Sequence, residues 1–132
     1  MPLVRITLSE KHQEQTIHEI SMAVHTSLMQ EFNVPQDDFF QIIEALKKEH
    51  LKYSKSYLGI PHTEDLVFIQ ITAAAGRTIE QKKRLYHQIS HRIATSTTIQ
   101  SSDVFIVLIE NTGKENWSFG NGEIQAMNHI RQ

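Results

Sequence analysis

The 132-residue chain has no cysteine, so disulfides, thiolate zinc sites and cysteine nucleophiles are all excluded. Neither sign of charge is in excess, because 13 basic and 15 acidic residues leave a formal net charge of -2 and a pI near 6.4. A nucleic-acid binder usually carries a basic face, and the mixed run Lys47-Lys48-Glu49-His50-Leu51-Lys52 is too short to make one. No nucleic-acid partner is expected. No apolar run approaches about 18 residues and no charged-then-apolar leader opens the chain. Neither a membrane span nor a secretion signal is therefore expected, and the cytoplasm is the expected compartment. Glycine is scarce, and Gly120 and Gly122 lack the spacing of a phosphate loop, so they are read as turn residues near a short C-terminal strand or hairpin. No G-x-S-x-G elbow occurs.

What is present begins at the second residue. Met1 is followed by Pro2 and an alternating strand, Leu3-Val4-Arg5-Ile6-Thr7-Leu8. Methionine aminopeptidase tolerates a small second residue, so the mature chain is expected to begin with a secondary amine held by a strand. Such an amine can serve as general base or acid when burial or a neighbouring cation pulls its pKa towards neutrality. If Met1 stays, the Pro2 nitrogen is an amide without a basic lone pair.

The hydrophobic content of 39% suffices for one core, and a single domain spanning residues 1–132 is expected. Ile17, Ile20, Val24 and Leu28 recur at helical spacing over about residues 10–32. Val34-Pro35 ends that helix, and Phe39, Phe40, Ile42 and Ile43 suit a second strand. The second half repeats the order. Leu66 to Thr72 reads as a strand, and Thr78-Ile79-Glu80-Gln81 is a capping box. Leu85, Ile89 and Ile93 form the buried stripe of a second helix, and the nearly all-apolar Val104 to Ile109 suits a strand covered on both faces. The halves, about 1–62 and 63–132, correspond at an offset of about 65 residues: Glu14-Gln15 faces Glu80-Gln81, and Asp38-Phe39 faces Asp103-Val104. The expected fold is α/β, a tandem β-α-β repeat whose four-stranded mixed sheet carries both helices on one face. Oligomerisation would cover the other.

The eight histidines offer no placed metal site. His87 and His91 stand at i, i+4 spacing but opposite the apolar stripe, on an expected exposed face, and His18 and His25 are read the same way. No metal and no cofactor are expected.

The N-terminal proline on a strand, the paired β-α-β units and the tail Asn116-Trp117-Ser118-Phe119-Gly120 together resemble the tautomerase superfamily, in its malonate semialdehyde decarboxylase-like branch. The resemblance covers nearly the whole chain, anchored by Phe32-Asn33-Val34-Pro35-Gln36-Asp37-Asp38, Arg77-Thr78-Ile79-Glu80-Gln81-Lys82 and Glu110-Asn111 to Gly120. It implies a homotrimer with active sites near the subunit interfaces and a small carboxylate as substrate. It implies Pro2 as the catalytic proline and Asp38 as the carboxylate that assists water or positions substrate, with Asp37 as the competing choice. It implies Arg77 as an arginine that binds the substrate carboxylate, bidentately in a way lysine cannot. Trp117 and Phe119 match aromatics that wall the pocket, while their apolar bulk would equally suit core or subunit contact. One departure stands out. Where the decarboxylase has its other arginine, this chain has Ala75.

The leading expectation is a cofactor-independent tautomerase with Pro2 as general base on a small 2-oxo or enol carboxylate. Two alternatives remain open at this point: a decarboxylase, hydratase or dehalogenase with protonated Pro2, or a non-catalytic oligomeric binding protein on the same scaffold.

Overall fold

The computed structural model describes residues 1–125. Strand β1 (Leu3–Ser9) leads into helix α1 (Glu14–Phe32) and strand β2 (Gln41–Leu46). A short hairpin follows, β3 (Ser56–Tyr57) and β4 (Ile60–Pro61). Strand β5 (Val67–Ala74), helix α2 (Ile79–Ser96) and strand β6 (Val104–Asn111) repeat the first order. The main sheet runs β2-β1-β5-β6, parallel within each β-α-β unit and antiparallel where β1 meets β5. This is the mixed four-stranded sheet expected, with both helices on one face. No helix among the described residues is long and apolar enough to cross a membrane.

Strand alternation decides which side chains meet the helices. Val4, Ile6 and Leu8 of β1 and Val67, Ile69 and Ile71 of β5 face Ile20, Val24 and Leu28 of α1 and Leu85, Ile89 and Ile93 of α2, all buried in one core. The capping box at Thr78 is complete: its hydroxyl accepts from the Gln81 amide, and the Gln81 side chain accepts from the Thr78 amide. Helix α1 starts later than its periodicity predicts. Residues 10–13 instead turn on Ser9, whose hydroxyl accepts from the Lys11 amide and whose carbonyl accepts from the His12 amide. At its far end Asn33 takes a left-handed conformation (φ 56°) and donates its amide back to Leu28.

Strand β6 departs from the expectation of two covered faces. Val104, Ile106 and Leu108 pack on the core, but Phe105, Val107 and Ile109 are exposed. The register sets these beside Phe68, Gln70 and Thr72 on the bare side of the sheet. On the same side Phe68 lies 5.2 Å from Phe105 between ring centroids. After a short 3₁₀ turn over Lys114–Asn116, residues 117–125 contain no strand, and the rest of the stretch where a short C-terminal strand or hairpin is expected lies outside the described residues.

Truncating a core residue should cost far more than removing a cap. Leu85→Ala is expected to destabilise the protein by about 2–5 kcal/mol, and Thr78→Ala by about 1 kcal/mol. Urea unfolding of both variants against the parent measures this.

Candidate active site

The antiparallel register Leu3↔Thr72 carries the start of β1 to the end of β5, so Met1 comes to lie against Ala74. Pro2 is buried there. Asp38 arrives from the other side, on a turn in which its amide donates to the Pro35 carbonyl at 3.1 Å. His25 braces this turn: its Nε2 lies 2.9 Å from the Gln36 carbonyl and its ring packs on Phe39 with centroids 4.6 Å apart. The carbonyl can only accept, so Nε2 carries the hydrogen. His25 is thus buried, and the expectation that it shares an exposed face with His18 is corrected. The turn folds back over α1 and covers it.

Asp38 is 6% exposed, and its Oδ2 stands 2.9 Å from the Met1 amine. Asp37, the competing choice, is exposed. The amine is pushed below its ordinary value chiefly by burial, with the Arg77 charge adding to the fall, while the hydrogen bond and charge of Asp38 oppose it. Met1 is itself bonded to the Pro2 nitrogen. Backbone geometry therefore keeps Asp38 Oδ2 within about 6.5 Å of that nitrogen.

Arg77 follows Gly76, whose φ of 126° is one that other residues rarely adopt, so the loop turns sharply as it leaves β5. Its side chain is 7% exposed. Nη1 donates to the Ala74 carbonyl at 3.0 Å, Nη2 donates to the Phe32 carbonyl at 3.1 Å, and the guanidinium carbon sits 4.7 Å from the Phe32 ring centroid. These contacts leave the buried Nε–H without an acceptor. Burial pushes the guanidinium pKa down, and the charges of Glu110 and Asp38 pull it back up. Ala75, where the second arginine would stand, is exposed. Nearby, Lys82 Nζ and Glu110 Oε1 form an ion pair at 2.8 Å.

Trp117 and Phe119 close the corner. Their rings stack 5.6 Å apart, both pack with Met1 and Ala74, and Phe40 continues the stack 6.4 Å beyond Phe119. Trp117 Nε1 donates to Asn111 Oδ1 at 2.9 Å, which fixes its ring, and the Phe119 amide donates to Gln125 Oε1 at 2.8 Å, which holds its backbone. Pro2, Asp38, Arg77, Trp117 and Phe119 thus gather at one corner. Sequence reading assigned no role at the corner to His25, which braces the Asp38 turn, or to Glu110, whose charge acts on Arg77 and which pairs with Lys82. His87 and His91 stack 5.9 Å apart on the exposed side of α2. Among the described residues no group of three or more potential ligands is arranged for a metal.

The second β-α-β unit has a matching corner with other chemistry. The amide of Ala75 donates to the Asn111 carbonyl as that of Glu10 does to Leu46, both at 2.7 Å. Asp103, the counterpart of Asp38, is buried, but it accepts from the amide and hydroxyl of Thr63 at 2.7 and 2.5 Å. A peptide stands where the first unit has an amine.

A family model described as "Tautomerase enzyme" matches residues 38–120. The probable tautomerase YusQ of Bacillus subtilis (strain 168) is 41% identical over 127 residues, covering 96% of this chain and 99% of that protein. The crystal structure of FG41 malonate semialdehyde decarboxylase inhibited by 3-bromopropiolate superposes with a TM-score of 0.86 at 34% identity, over 93% of this chain and 92% of the other. A symmetric trimer of fused 4-OT shares the fold, with a TM-score of 0.74 at 18% identity over 92% and 94% of the two chains.

In protein that retains Met1, the terminal amine should titrate below the ordinary value of about 8. Asp38→Asn should lower it further, since Asp38 is what holds the pKa up. Titration of the ¹⁵N-labelled Met1 amine by NMR checks both signs.

Proposed function

As the chain belongs to the tautomerase superfamily, in its malonate semialdehyde decarboxylase-like branch, we propose that it is a cofactor-independent tautomerase of small 2-oxo or enol carboxylates whose base is the Pro2 amine exposed by removal of Met1. The observation that carries this reading is the burial of a chain-terminal amine against Asp38 with Arg77 close enough to act on its pKa. A Pro2 amine freed by that removal stays in the corner near Arg77, and a neighbouring cation favours the neutral base.

In the proposed reaction the neutral Pro2 nitrogen takes a proton from C3 of a 2-oxo acid. The C–H electron pair becomes the C2=C3 bond, and the proton is returned to the carbonyl oxygen, which yields the enol and restores the amine. Ketonisation is the reverse. Arg77 holds the carboxylate: its backbone-anchored guanidinium has a spare buried N–H, and an anion supplies the acceptor that this donor lacks. Asp38 accepts a hydrogen bond from the enol hydroxyl, as it does from the Met1 amine. Trp117 and Phe119 exclude water. The likeness to FG41 malonate semialdehyde decarboxylase favours a second reading, a lyase or hydratase with Pro2 protonated. Ala75 weighs against decarboxylation in the manner of that branch, because the exposed methyl offers no second cation.

The assembly proposed with this reading is a homotrimer. Ile42, Phe105, Val107 and Ile109 stand exposed on the sheet face away from the helices, beside the half-buried Phe68, and further copies of the chain would bury them. Sedimentation equilibrium is expected to give three times the protomer mass, and Phe105→Asp to give one.

For the chemistry, phenylenolpyruvate ketonisation by protein whose mass confirms loss of Met1 should rise with pH through a pKa below the ordinary amine value. Pro2→Ala should abolish most of the rate, and Arg77→Lys should raise KM tenfold or more by losing about 1.5–3 kcal/mol of charge-assisted hydrogen bonding. A rate indifferent to Pro2→Ala overturns the reading.

A further inference from the structure

The tautomerase reading leaves the substrate's tail unspecified, and Met1 supplies the missing information. It is bonded to the Pro2 nitrogen, so its removal opens the space directly in front of that atom. Two kinds of surface meet Met1 there. Its amine, a hydrogen-bond donor, sits on Asp38 beside Arg77. Its side chain, an unbranched thioether of about four non-hydrogen atoms, packs on Ala74, Trp117 and Phe119 and leaves the residue 1% exposed. Met1 therefore stands in for a molecule with a polar end and an unbranched apolar end, the two meeting next to the Pro2 nitrogen.

We infer that the substrate is a 2-oxo monocarboxylate with an unbranched apolar chain of about four carbons beyond C3, seated in the slot that the Met1 side chain vacates. This rests on the reading of Pro2 as base. The enol hydroxyl takes the place of the Met1 amine on Asp38, the carboxylate goes to Arg77, and C3 lies where Met1 leaves the proline nitrogen. The tail then fills a slot walled by two stacked rings, with the Ala74 methyl as its floor. Ala74, Trp117 and Phe119 offer the tail an apolar surface, on which a second carboxylate at the far end of the substrate would be desolvated. A three-carbon acid would leave the slot unfilled and forgo the burial energy of the tail.

The test is Pro2-dependent exchange of the C3 hydrogens for deuterium, followed by proton NMR on protein of verified mass, across pyruvate, 2-oxobutanoate, 2-oxopentanoate, 2-oxoheptanoate and 2-oxodecanoate. The exchange kcat/KM is expected to rise about fourfold for each added carbon up to about four beyond C3, and then to level or fall. Ala74→Leu, which raises the floor, should abolish the gain with length, and a parent-like urea unfolding midpoint shows that the variant is folded. Trp117→Ala, which removes one wall, should flatten the gain if Ala74→Leu does not fold. Exchange that depends on Pro2 but is flat in tail length, or a length preference untouched by either variant, overturns this inference alone. Exchange equal in Pro2→Ala for every acid overturns the base reading itself.

Discussion

The antiparallel pairing of β1 with β5 is the constraint on which the rest of the molecule depends. Each β-α-β unit alone exposes the edge of its first strand and half a core, and pairing the two first strands joins both deficits into one sheet with one helical layer. Its register also has a chemical result. With Leu3 opposite Thr72, the chain's first atoms reach the place where β5 ends and the loop to α2 begins. The amine and Arg77 meet because of sheet register rather than any local motif, and a slip of one residue would turn every core side chain of β1 outward.

Around that junction the polar groups are organised by scarcity of water. Asp38 is buried on a turn held by His25, and Arg77 is buried on two backbone carbonyls. Two opposite charges in such a place shift the protonation of whatever amine is set beside them, in directions that oppose one another. The second unit shows how specific this is. Asp103 occupies the matching place, but a peptide amide and a hydroxyl take up its lone pairs, and it serves as a structural clamp on Thr63. Equivalent carboxylates thus have different surroundings because a two-unit chain has only one beginning.

Much of this was legible in the residues. Thr78 and Gln81 announced a helix start because capping is local, and Leu85, Ile89 and Ile93 announced a buried stripe because helical period survives any tertiary setting. The start of α1 was not legible, since Ser9 competes for the next amides through its own hydroxyl. His25 was misjudged because helical spacing says nothing of a loop that later folds over the face. Lys82 and Glu110 lie 28 positions apart, and only the sheet and α2 together bring them into an ion pair. Pro2 was picked by its place ahead of an alternating strand, and Asp38, Arg77, Trp117 and Phe119 by family resemblance. What the residues alone could not yield was their meeting point, which depends on the β1–β5 register.

The depth at which Met1 lies carries a consequence for biosynthesis. A peptidase needs a free, extended terminus in its own cleft, and a first residue 1% exposed and sealed by two rings offers none. Trimming and folding therefore compete in time. On the proposal that Pro2 is the base, the enzyme that removes Met1 must act on the nascent chain, before β1 finds β5. A molecule that folded first would keep its proline nitrogen locked in an amide and would have to reopen that corner to be trimmed at all. The yield of competent protein would then be set by the ratio of two rates during synthesis, and rapid overproduction would shift that ratio towards a well-folded but silent population.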